Sequence, residues 1–173
     1  VSASPRVLLV ACYELGHAPL GIAWPLAFLG RAGLSAATLD LAVEPFSPER
    51  AAAADVVVIS VPMHTALRLG VRAAQRVRAA NPRAHISFHG HYAWLNADVL
   101  LEGAADSILA GECEEALVDL VRALREGRDA ASVPGVGTRS SPAAPVRARL
   151  DFPVPDRDTL PPPARYAGYQ HAG

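Results

Sequence analysis

The residues with the widest chemistry in this chain fall in loops. Cys12, His17, Ser60, Met63, His64, His89, Gly90, His91, Gly111, Glu112 and Cys113 all stand where short apolar runs stop. Imidazole and thiolate groups gathered at one edge suit zinc or copper. Yet no two of these residues have the tight spacing of a zinc-finger pair, so no resident metal is expected. The plainer reading of His64 is a polar residue opening a helix. For Gly111-Glu112 it is a tight turn, with Glu114 and Glu115 serving the helix dipole. Other ligand motifs are missing. The first of these loops, Cys12-Tyr13-Glu14-Leu15-Gly16-His17, has no glycine-rich dinucleotide turn, and no phosphate-cradling Walker sequence occurs. Ser60 stands where a phosphoacceptor receiver needs aspartate. No residue is assigned a catalytic role.

These loops need elements to hold them, and the pattern supplies an alternation. Residues 6–11 form an apolar run typical of a buried parallel strand. Residues 21–32 carry apolar positions at helical spacing, stopped by Gly33. Residues 36–41 make a weaker strand, and a short helix follows Pro48. Residues 55–60 are the clearest strand, rich in β-branched side chains. A helix over 65–80 predicts an inner stripe of Leu67, Val71, Ala74 and Val77, with Arg68, Arg72, Arg76 and Arg78 toward water. Residues 85–88 and 107–110 give two more strands. Helices over 96–102, capped by Asn96, and 114–125 complete the series. Such alternation specifies an α/β, Rossmann-like (flavodoxin-like) five-stranded parallel sheet, order 2-1-3-4-5, with helices on both faces. In an open parallel sheet the strands' carboxyl ends share one edge, and ligands bind in the crevice there. The loop residues above would line it.

Composition narrows the function classes. The chain has 173 residues and a formal net charge of −1, with acids and bases interspersed. That argues against a nucleic-acid surface, which would need a basic stripe. No apolar run reaches the roughly 18 residues that span a bilayer, and no leader pattern opens the chain. A cytoplasmic protein is expected. Its two cysteines give no disulfide framework, although their strand-end positions could bring them together.

After Gly127 the periodicity is lost and prolines accumulate. The sequence therefore divides into a Rossmann domain over 1–127 and a Pro-rich extension or linker over 128–173. Residues 133–136 and 146–150 could pair as a small hairpin. The run Tyr166-Ala167-Gly168-Tyr169-Gln170-His171 shows no terminal element, as though a further domain followed.

Taken in order, these segments resemble the N-terminal cobalamin-binding domain of B12-dependent radical SAM proteins. The likeness rests on Pro19-Leu20-Gly21-Ile22-Ala23 opening the first helix, then Leu26-Ala27-Phe28-Leu29 and Arg31-Ala32-Gly33. It continues through Leu39-Asp40-Leu41, Ile59-Ser60-Val61 and Gly111-Glu112-Cys113-Glu114-Glu115-Ala116-Leu117. Asp151-Phe152-Pro153-Val154-Pro155-Asp156-Arg157 is similar to the link into a radical SAM barrel. Cys12-Tyr13-Glu14 and Val61-Pro62-Met63-His64-Thr65 also resemble the CUAEP/CCAEP-tail radical SAM proteins.

The resemblance implies cobalamin as cofactor, with SAM and a 4Fe-4S cluster held by a radical SAM barrel downstream. That barrel needs three cysteines, typically Cys-x-x-x-Cys-x-x-Cys, which this chain lacks. The implied reaction is SAM-derived methyl or alkyl transfer to a small molecule. A cobalamin tail would lie along the strand ends, with Ser60 donating a hydrogen bond and Gly90 and Gly111 allowing close approach. The corrin would rest on Tyr13, Leu15 and Met63, with Met63 and His64 beneath the cobalt. His17, Thr65, His89 and Glu112 complete the implied cofactor-binding set. Two departures stand out. His17 lacks the Asp-x-His-x-x-Gly context of a cobalt-ligating histidine, and His89-Gly90-His91-Tyr92 replaces the usual Gly-Gly-Pro-His turn. The alternative is a cobalamin-free docking module in a radical SAM enzyme of aminocarboxypropyl transfer, as in arsenic natural product biosynthesis.

Overall fold

Aliphatic runs of five residues bury both faces most readily in the middle of a parallel sheet. Two such runs, β1 (Val7–Ala11) and β3 (Val56–Ser60), are wholly buried and lie side by side. The computed structural model describes residues 6–142 and 144–167. The last part of the closing run, residues 168–171, lies outside the described residues. Around the central pair stand β2 (Ala36–Asp40), β4 (His85–His89), β5 (Ser107–Leu109) and β6 (Val136–Gly137). The helices are α1 (Leu20–Arg31), α2 (Pro48–Ala53), α3 (His64–Ala80), α4 (His91–Leu95), α5 (Ala97–Gly103) and α6 (Glu114–Arg125).

The sheet corrects the five-strand expectation. It has six strands in the order β2-β1-β3-β4-β5-β6. The first five are parallel as expected, whereas β6 runs antiparallel to β5. Physically, β5 would otherwise present an unpaired edge, and Val136 is apolar enough to be buried there. The expected hairpin is also absent. Instead Val146 bridges Gly111 in parallel, accepting from the Glu112 N–H at 2.9 Å and donating to the Ala110 carbonyl at 3.1 Å. Residues on both sides of the proposed hairpin thus extend the sheet edge separately.

Strand alternation splits the core in two. Leu9, Ala11 and Val58 face α1 and α6, with Phe28, Leu29, Leu117 and Val121. Leu8, Val10, Ile59 and Phe88 face α2, α3 and the α4–α5 pair, with Ala73, Val77 and Leu100. The buried stripe of α3 is Ala66, Gly70, Ala73, Ala74 and Val77, rotated from the expected one. Small residues let α3 lie close to the sheet: a β-carbon on Gly70 would come 2.8 Å from Val61. Arg78 does not simply face water, since it donates to the Ala84 carbonyl and pairs with Asp106 at 2.7 Å. Asn96 stands at the cap of α5 but makes no side-chain cap; its amide donates instead to the Tyr92 carbonyl. Helix α4, one turn opened by His91, is an element that the sequence pattern does not predict.

Beyond β6 the chain becomes a strap over α1. Phe152 meets Trp24 and Phe28 edge-on, with centroids 5.3 and 5.4 Å away. The Asp156 N–H donates to the Ala23 carbonyl, and Leu160 is buried in the α1–α6 core. The strap then reaches the carboxyl edge, where the Ala167 N–H donates to the Gly16 carbonyl.

Candidate strand-edge site

The carboxyl ends of β1, β3 and β4 put Ala11, Ser60 and His89 in one row, each aligned with the next. By strand alternation all three side chains point toward α1 and α6. Over the row stand the first turns of those two helices, bringing Gly21 and Cys113. Helix α1 comes down very close: a β-carbon on Gly21 would collide with Ser60 Oγ and lie 2.7 Å from Glu14 Oε1.

Glu14 reaches this position because the β1–α1 loop turns through two left-handed residues, Leu15 and Gly16. Its Oε2 and Oε1 accept from the Leu20 and Gly21 N–H groups at 3.1 Å each. Two otherwise unpaired helix donors are satisfied, and a carboxylate sits at the positive end of the helix dipole. Burial raises the Glu14 pKa, opposed by those two hydrogen bonds.

His89 is 5% exposed. Its Nδ1 lies 3.6 Å from Cys113 Sγ. Among the described residues its Nε2 has no partner in hydrogen-bond geometry. Burial pushes the imidazole down to about 4, opposed in part by the nearby Gly21 backbone. The ring is neutral at physiological pH.

Neither thiol is primed to react. Burial, then the charge of Asp40, raises Cys12 to about 12. Burial, then Glu114, raises Cys113 further still. The two cysteines belong to opposite core clusters, on either side of the sheet, so they do not come together. Among the described residues no cluster of His, Cys, Asp or Glu is arranged to hold a metal ion.

The remaining residues of the expected set form the rim. Leu15 is 62% exposed, while Tyr13 and Met63 are half-buried. His17, His64, Thr65 and Glu112 are exposed. His64 and His91 both approach Tyr92 edge-on, at 6.4 and 6.1 Å. The two glycines of the set face protein. A β-carbon on Gly90 would meet the Val61 backbone at 3.0 Å, and one on Gly111 would collide with the Val146 backbone.

Three members of the edge escaped the sequence reading. Glu14 and Asp40 sit in the quoted motifs, but nothing in their spacing marks Glu14 as half-buried or Asp40 as buried. Asp40 Oδ1 accepts from the Ala42 N–H at 3.0 Å and Oδ2 from the Tyr166 hydroxyl at 2.8 Å. Tyr166 is separated from Asp40 by 126 positions, and no local pattern could have joined them.

A family model, the B12 binding domain, matches residues 6–121. The fold is similar to that of the radical S-adenosylmethionine methyltransferase TsrM from Kitasatospora setae. In its structure with tryptophan substrate and the SAM analogue aza-SAM, the TM-score is 0.66 at 20% identity, over 80% of this chain and 29% of that one. With cobalamin and a 4Fe-4S cluster bound, the TM-score is 0.64 at 20% identity, over 83% and 31%. The chain thus spans less than a third of either solved chain. No curated protein matches it.

Proposed function

The chain belongs to the B12 binding domain family, and from that premise we propose that it is the accessory domain of a radical SAM enzyme. That enzyme would transfer a SAM-derived methyl or alkyl group to a small molecule, with this domain's carboxyl edge meeting the catalytic barrel. The observation that carries the reading is the character of the edge. Exposed Leu15 and half-buried Tyr13, Met63 and Tyr92 give it an apolar and aromatic patch among the polar side chains of His17, His64, Thr65 and Glu112, while its thiols are buried and unreactive. A surface of that kind docks against something and leaves the chemistry elsewhere. The SAM and the cysteine-held iron–sulfur cluster then belong to the barrel.

The residues present do not fit a cobalamin tail buried along the strand ends. Gly21 closes on Ser60, His89 fills the space beside it, and Val61 and Val146 occupy the open sides of Gly90 and Gly111. The filled interior favours the docking-module form of the proposal.

The test uses the whole polypeptide that carries this domain, purified and reconstituted without oxygen. It should hold a 4Fe-4S cluster and cleave SAM on reduction. Leu15→Asp with Met63→Asp should depress turnover at least tenfold and leave cluster content and thermal stability intact. If neither the polypeptide nor a stoichiometric partner carries the three-cysteine motif, the proposal fails.

A further inference from the structure

The space between the first turns of α1 and α6, above the ends of β3 and β4, is where a flat aromatic base could enter this fold from the carboxyl edge. Its floor is the aligned pair Ser60 and His89. Its walls are Gly21 and Cys113. A base inserted there needs about 3.5 Å of clearance on each face, the contact distance of non-bonded carbon atoms. That clearance is gone. Gly21 already presses on Ser60 with no room for a single methyl group. The imidazole of His89 takes up the remaining width, against Cys113 on one side.

We propose that His89 is a built-in plug, the specificity-determining residue that shuts this interior slot to the nucleotide tail of a corrinoid. The inference rests on the family reading for the identity of the excluded ligand; the plug itself is made of this chain's own residues.

Three features show that the plug is fitted to its socket. First, α1 contains Pro25, which has no N–H, so the Gly21 carbonyl lacks the helical donor four residues on. His89 is the buried ring beside that same backbone, and its Nε2 has no hydrogen-bond partner among the described residues. A polar ring beside a carbonyl that lacks its helical donor suits both groups better than an apolar side chain would. Second, the α1 N-terminus would attract an anionic group of any incoming tail. Its Leu20 and Gly21 donors are already taken by Glu14. An imidazole thus stands for the aromatic base and a carboxylate for the anion. Third, the ring is uncharged at neutral pH because of its burial, so it sits in the apolar layer with Leu109 and Ala11 without needing a counter-charge.

The decisive probe is cob(II)alamin, whose EPR spectrum shows nitrogen splitting when its own base ligates cobalt and loses it when the tail is pulled away. Wild-type protein should retain no corrinoid after gel filtration, or only the base-on form. His89→Gly, checked for wild-type circular dichroism and cooperative melting, should bind at least tenfold tighter and show the base-off spectrum. His89→Ala, which opens less space but perturbs the strand less, should move in the same direction. Stoichiometric base-off cobalamin on wild-type protein overturns the proposal. So does a folded His89→Gly or His89→Ala protein that binds no better than wild type. Reductive SAM cleavage by the whole polypeptide is measured separately. Its absence would count against the accessory-domain reading and leave the plug untouched.

Discussion

Gly21, in the first turn of α1, lies so close over Ser60 at the end of β3 that no side chain fits between them. Glycine there costs helix stability, about 1 kcal/mol against alanine. The contact explains why it is nonetheless the residue that fits. It also sets the height of α1 above the sheet, and through that height the width left for His89.

Gly21→Ala should therefore destabilise the protein, by about 1–3 kcal/mol, as overpacking of a filled core does. Ser60→Gly removes the atoms that the new methyl group would strike. In a double-mutant cycle of unfolding free energies the two changes should be less than additive. Additive penalties would mean that the helix does not rest on Ser60.

The strand and helix series was legible because hydrophobic periodicity encodes it directly: residues 55–60 and 114–125 match β3 and α6 closely. The rotation of the α3 stripe was not, since the choice of Ala66, Gly70 and Ala73 over Leu67 and Val71 depends on how near the sheet lies. The loops of the edge could be named from their residue types, but not their contents. Whether His89 fills the slot or lines it depends on where α1 sits, and a sequence pattern does not report that distance. The link between Asp40 and Tyr166 is longer-ranged still.

Gly111 and Gly127 both have positive φ, 76° and 69°. They differ in what a side chain would meet: the Val146 backbone at Gly111, and open space at Gly127. Gly127→Ala should cost only the backbone strain, roughly 1–2 kcal/mol. Gly111→Ala adds a collision that only displacement of residues 144–150 can relieve. Its penalty should be visibly larger, and amide exchange at Glu112, which donates to the Val146 carbonyl, should rise at least tenfold. Equal melting temperatures for the two variants would contradict the bridge.

The buried His89 couples stability to pH. Its pKa is about 4 in the folded chain, against an ordinary 6.5 when unfolded. Between those values the unfolded chain holds the extra proton, so the full contribution is present above pH 6.5 and drains away as pH falls toward 4. At its limit the loss is roughly 3 kcal/mol. Glu14, Asp40 and Glu114 are all raised by burial and oppose this in acid. The His89→Gln variant isolates the imidazole. Its unfolding free energy should fall less steeply than that of the wild type from pH 6.5 to 4. Parallel profiles would mean that the ring is solvated.

Tyr166 fastens the strap to the edge through its hydrogen bond to Asp40. Asp40 is buried, and its pKa, raised by desolvation, is held down in part by that bond and by the Ala42 N–H. Tyr166→Phe keeps the ring and removes the donor, leaving one carboxylate oxygen short of a partner at a cost of about 1–2 kcal/mol. The Asp40 pKa should rise further, so the penalty should be largest near neutral pH and shrink as Asp40 takes up a proton in acid. A looser strap also exposes its own backbone. Trypsin should cut at Arg157 several times faster in the variant, while Phe152 remains seated on Trp24. Unchanged cleavage together with an unchanged melting temperature would show that Arg165, which donates to the Val43 carbonyl, anchors the strap without Tyr166.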